Sequence, residues 1–188
     1  MKKIFTILAL TIVFSVNAQL DDYSSNVSAT GSFSIAMGYY TTASGWSTTA
    51  MGYSTIASGG TSTAMGYNTE ASGGASTAMG QNTEAIGNRS TAMGEGGKAN
   101  GWTSTAMGFR TKANGGSTTA MGRYTTAIGN NSTAMGAHTT ASDYGSLVIG
   151  RFNSSGSSLT SAYSDTTFKT SNTAFVIGNG TATSIDGN

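Results

Sequence analysis

The 188-residue sequence has no cysteine and no proline, only 9% charged residues and a single histidine. Without cysteine there are no disulfides, no thiolate metal sites and no lipid-modified cysteine anchor, and nothing follows about redox compartment. Without proline, the 27 glycines carry the chain reversals alone; scattered, they would suggest disorder, but they fall at fixed offsets and so mark turns. An excess of charge of either sign is also missing, since the formal net charge is +1. A chain this close to neutral gives no reason to expect a nucleic-acid partner. Long apolar runs are absent after Ile4 to Val16, so no later stretch approaches the roughly 18 residues a membrane helix needs. The first run follows Lys2 and Lys3 and precedes Val16-Asn17-Ala18, which reads as a secretory signal cleaved before Gln19 and predicts an exported mature protein. Much of the 37% hydrophobic content is alanine or belongs to this leader, so a single core of ordinary size is excluded.

What is present is a repeat. Ala-Met-Gly begins at Ala36, Ala50, Ala64, Ala78, Ala92, Ala106, Ala120 and Ala134, always fourteen residues apart, and the register reaches Val148-Ile149-Gly150. A second Ala-x-Gly stands halfway between, from Ala29-Thr30-Gly31 and Ala43-Ser44-Gly45 to Ala127-Ile128-Gly129. A fixed short period in a chain rich in Gly, Ser and Thr predicts a solenoid in which each repeat is one coil. Within each half the pattern Ser/Thr-x-Ala-x-Gly alternates with period two, so each coil should hold two short strands and two turns, with each Ala-x-Gly ending a strand. The fold class expected is all-β, a parallel roll of about nine to ten coils. The chain divides into a signal peptide (1–18), a polar lead-in (19–28), the roll (29–150), and a degenerate coil or cap with a C-terminal tail (151–188). Phe175-Val176-Ile177-Gly178 lies two whole periods beyond Leu147-Val148-Ile149-Gly150, which suggests that the register resumes after the gap.

The repeats also act as an internal alignment that assigns the faces. Thr42, Ile56, Glu70, Glu84, Lys98, Lys112, Thr126 and Thr140 share one position in the second half, and charges there cannot line a dry core. The opposite parity, Ser/Thr, Ala and Gly, then faces inward and fills a narrow roll. Carried to the first half, the same parity places Met37, Met51, Met65, Met79, Met93, Met107, Met121 and Met135 outside, as a column too long and apolar for a lone chain, and so as an oligomer interface. The opposite assignment, methionine inside and alanine outside, stays open because parity is transferred between halves.

Chemistry-bearing residues are sparse. His138, on a predicted turn, has no catalytic partner in sequence, and neither a phosphate loop nor a calcium nonapeptide is spelled out. Glu70 and Glu84 would stack at about the 5 Å of retaining-glycosidase carboxylates, but on an open face continued by Lys98 and Lys112, which favours a solvated ladder over an active site. Catalytic residues, cofactors and metals are therefore expected to be absent. The candidate ligand-facing residues are Tyr39, Tyr53, Tyr67 and Phe109, which follow the first-half glycine, together with Glu70, Glu84, Lys98 and Lys112; Trp46 and Trp102 follow the other glycine. The aromatics suit stacking on sugars or protein ligands, and equally suit like-on-like stacking between coils. Arg89, Lys98, Arg110, Lys112 and Arg123 against Glu95 suggest a mildly basic belt.

The uninterrupted run from Ala29 to Gly150 resembles the head repeat of YadA-like trimeric autotransporter adhesins. That resemblance implies a left-handed β-roll, three chains side by side, on a secreted or surface-exposed bacterial protein that adheres to host or environmental surfaces, with a matrix protein or glycan as ligand. Methionine stands where such heads often carry isoleucine or valine. Such heads sit on a coiled-coil stalk and a membrane anchor; neither heptads nor anchor-like strands follow here, and the expectation is truncation or release of the head. The function expected is non-enzymatic multivalent binding. The alternative is an ice-binding solenoid using Thr49, Thr63, Thr77, Thr91, Thr105, Thr119 and Thr133 as an outward column.

Overall fold

The computed structural model describes residues 18–20, 26–153 and 175–179. The bulk of the expected signal peptide, part of the lead-in and most of the expected cap lie outside these residues. All described elements are strands, in two parallel sheets. The larger sheet has eleven strands, nine of them five-residue strands of the repeat that run from Ile35–Tyr39 to Leu147–Arg151, the middle seven reading Thr-Ala-Met-Gly-x. The smaller has nine two-residue strands, from Ser28–Ala29 to Thr140–Ala141. Every strand pairs with the equivalent strand of the next coil, Ala78 beside Ala92 and Met79 beside Met93, so the fold is a parallel β-solenoid with a fourteen-residue coil.

The core is one kind of atom group repeated. Each alanine from Ala36 to Ala141 at the two Ala positions is fully buried, and Val148 continues the column at the last of the nine. Ser and Thr fill the rest: Ser34, Thr48, Ser62 and their equivalents, with Thr41, Thr55 and Thr69 on the other side. Some of these hydroxyls close a turn, since Ser104 Oγ and Thr118 Oγ1 each donate at 2.7 Å to the carbonyl three residues back, whereas those of Thr41, Thr55, Ser62 and Thr69 are buried without a hydrogen-bond partner. The eight repeat methionines from Met37 to Met135 are half-buried or exposed on the outside, never in the core, so the outward assignment is correct and the opposite one is excluded.

The turns differ from expectation in an instructive way. From Phe33 to Phe152, every seventh residue has a left-handed backbone, and sixteen of these residues are not glycine, among them Tyr40, Thr61, Ala75, Arg89 and His138. Side chains at positive φ cost energy, least for Asn, yet only Asn68, Asn82 and Asn131 use that residue, with Gly96 and Gly145 elsewhere in the series. The glycines of the repeat serve other ends. Those of Ala-Met-Gly adopt φ near +120° inside the strand, which runs one residue further, so these glycines kink the strand and do not terminate it. Those of the second Ala-x-Gly need only the space: a Cβ on Gly73 would collide with the Gly87 backbone of the following coil. At the last equivalent site the chain places Asp143, fully buried.

Two strands extend the larger sheet beyond the repeat. Ala18–Leu20 pairs with Ile35–Met37 and Phe175–Asn179 pairs directly with Leu147–Arg151, in the register two periods on. The register thus resumes after the gap as the sequence suggested.

Candidate functional site

Among the described residues the outward-facing groups are arranged in columns. Among the described residues no group of three or more His, Asp or Glu comes together as a metal site, and no helix is long and apolar enough to cross a membrane. Each outward position is repeated along the rod at the strand spacing of about 4.8 Å.

On the larger sheet, the Met column and the Thr column lie side by side, because residues two apart on a strand share a face. Thr63, Met65 and their equivalents are half-buried, and Met135 is exposed. The Thr column turns apolar at the ends of the repeat, with Ile35 at one end and Leu147, then Phe175, at the other, while Ile149 and Ile177 continue the Met column. Ile177 is 64% exposed. The eleven strands make this face about 48 Å long.

On the smaller sheet, Glu70, Glu84, Lys98 and Lys112 occupy consecutive coils in register. Lys98 Nζ donates to Glu84 Oε1 at 2.7 Å, with both side chains partly exposed. The pair joins the middle of the column, with Glu70 on one side and Lys112 on the other. Glu70 and Glu84 neighbour one another as anticipated, but Glu84 is engaged by the following lysine, as in a solvated ladder.

The first corner, after Ala-Met-Gly, carries the aromatics. Tyr39, Tyr53 and Tyr67 stack ring on ring, with centroids 5.2 and 5.0 Å apart and interplanar angles of 21° and 9°. Their faces are therefore largely spent on one another. Phe109 takes no part in that stack. It packs edge-on to Tyr124 of the next coil at 5.2 Å, and Tyr124, His138 and Phe152 continue as a second stack at 4.8 and 4.6 Å. Arg110, Arg123 and Arg151 lie against these rings, with guanidinium carbons 5.0 to 6.0 Å from the centroids. The second corner holds Trp46 and Trp102, both largely exposed. The Trp102 indole leans over Gly116, where a Cβ would come within 2.9 Å of Cδ1 and Cε2.

The basic belt read from the sequence is thereby broken up. Arg89 belongs to the second corner, Lys98 and Lys112 to the smaller sheet, and only Arg110 and Arg123 share a corner, where Arg151 joins them. Arg151, Tyr124, His138 and Phe152 were missed as a group. The signal existed, since Arg110, Tyr124, His138 and Phe152 are fourteen residues apart, but no letter repeats.

Comparison with curated proteins gave no match. The YadA head domain repeat family model (2 copies) matches residues 29–55, 43–69, 71–96, 99–125 and 127–153, which together span two thirds of the sequence and both sheets. Fourteen-residue coils in unbroken register, with alanine inside and an apolar column outside, are what that match describes in space, and the chain belongs to the YadA head domain repeat family.

Proposed function

We propose that this adhesin-type repeat protein is a non-enzymatic head that works at the cell surface or after secretion, as a homotrimer joined through the methionine face. The observation that carries the reading is the outward column in register: an apolar strip about 43 Å long on one sheet, from Met37 to Ile177, opposed by charged and aromatic columns on the remaining surfaces. Covering the strip with copies of itself aligns identical coils, because parallel chains of one period match at every step. The number three comes from the family resemblance. What then remains in water is a set of weak sites repeated along each rod and around the axis, so affinity arises by multiplication of contacts to a matrix protein or glycan.

Deleting residues 50–77 removes two whole coils and keeps the register. Bead-bound wild type and deletion are compared on immobilised matrix proteins and host or bacterial glycans. Graded weakening with an intact oligomer is expected; complete loss of adhesion from Glu84→Gln alone, with the oligomer unchanged, would replace display by a discrete site. The ice-binding alternative asks for the same face, since the Thr column adjoins the Met column on it. Faceted ice crystals at low protein concentration would favour it over adhesion.

A further inference from the structure

The charges of this nearly neutral chain are segregated. Among the described residues, the only acid after Glu95 is Asp143, which is buried away from the first corner. Over the same coils that corner exposes three guanidiniums, those of Arg110, Arg123 and Arg151. Arg110 and Arg123 stand on adjacent coils and Arg151 two coils further, at heights separated by about 5 and 10 Å. None of the three makes an ion pair among the described residues. They rest instead on aromatic rings: Arg110 and Arg123 each lie over both Phe109 and Tyr124, and Arg151 over Phe152. Resting a long side chain on a ring limits its rotamers and leaves its N–H groups directed to solvent, which lowers the entropy lost when an anion is bound.

We propose that this corner binds a linear polysaccharide bearing sulfate or carboxylate groups, laid along the rod. Guanidinium forks match the paired oxygens of both groups, and the spacing in coil steps suits anionic substituents on successive or alternate sugar rings. The rings themselves argue against single-stranded nucleic acid, whose affinity for such surfaces comes from bases stacked on open aromatic faces. His138 is enclosed by Tyr124 and Phe152, and the faces of Phe109 and Tyr124 are shared with arginines. The proposal rests on the display reading and names one ligand class for it.

The test uses the full chain and substitutions borrowed from its own columns. Arg110→Asn places at a left-handed position the residue found at Asn68 and Asn82, and Arg123→Gln repeats Gln81; Arg151→Gln completes the triple variant. Binding to immobilised dextran sulfate and polygalacturonate is measured against neutral dextran, over a range of NaCl, with sedimentation as the check on assembly. The wild type should bind one or both polyanions, weakening steeply with salt, and ignore dextran; the triple variant should lose at least tenfold. Sulfated dextran alone would define sulfate as the partner, polygalacturonate alone carboxylate. A control that removes a charge elsewhere, Arg89→Asn, should stay within twofold. Equal loss in the control, no binding by the wild type, or equal binding by the triple variant would overturn the site, and full competition by oligo-dT would overturn the ligand class. The 50–77 deletion leaves the three arginines and the rings beneath them in place and should keep its dextran sulfate binding, so failure here is separable from failure of multivalent display.

Discussion

Gly80→Ala tests the claim that backbone proximity between coils, and not turn formation, holds glycine in every Ala-Met-Gly. Gly80 has φ of +115°, and a Cβ there would land on the Gly94 carbonyl, 3.0 Å from its carbonyl carbon and closer still to the oxygen. Holding an L-residue at such a φ costs about 1–3 kcal/mol. Relieving the collision requires the Thr77–Gln81 and Thr91–Glu95 strands to part by more than about 1 Å, weakening two or three ladder bonds at roughly 1 kcal/mol each. The expected loss is about 3–6 kcal/mol. Gly60→Ala is the matched control, because no atom lies within 4 Å of its added Cβ and its φ is not positive. It should be neutral or stabilising by up to about 1 kcal/mol through the unfolded state. Urea unfolding followed by far-ultraviolet circular dichroism, at one protein concentration, compares the two. Hydrogen exchange then localises the damage, with amides of Thr91–Glu95 expected to lose protection only in Gly80→Ala. If the two variants unfolded within about 1 kcal/mol of each other, close stacking could not be the reason for the glycine column.

Two further outcomes follow from the same geometry. Ala75→Gly, ordinarily destabilising in a regular element, should here raise stability by about 0.5–1 kcal/mol, because Ala75 sits at φ 54°; a lower urea midpoint would count against left-handed strain at the corners. Met79→Glu with Met93→Glu places two carboxylates side by side on adjacent strands in the middle of the outward apolar face and should dissociate or unfold the proposed assembly; an unaltered sedimentation coefficient, or a monomeric wild type, would remove the methionine face from the joint.

The sequence discloses most of this architecture because one constraint repeats. Glu70, Glu84, Lys98 and Lys112 betray the outside of one half, and alternation carries that information to Met79 and Met93 in the other. Ala92 and Ala99 are then inside by necessity, and both are fully buried. The corners were less legible for a physical reason. Ladder hydrogen bonds such as Asn82 N–H to Tyr67 carbonyl at 2.9 Å and Arg89 N–H to Gly74 carbonyl at 2.7 Å fix the left-handed residues whatever their side chains. No glycine preference survives there to be read. Side-chain identity at the corners is thus free to vary, and so the Arg110, Tyr124, His138, Phe152 series carries no repeating letter although it is one column in space.

The ladder of parallel strands has a mechanical side. Its hydrogen bonds run along the rod while its strands run across it, so tension between the two ends pulls each coil straight off its neighbour instead of sliding strands past one another. Under such a load the bonds between adjacent coils open a few at a time, beginning at an end. Each detached coil frees fourteen residues of chain, about 45 Å when drawn out, in exchange for one strand spacing of rod. A rod of this construction yields length in steps under pull, as a brake that pays out and not as a rigid strut.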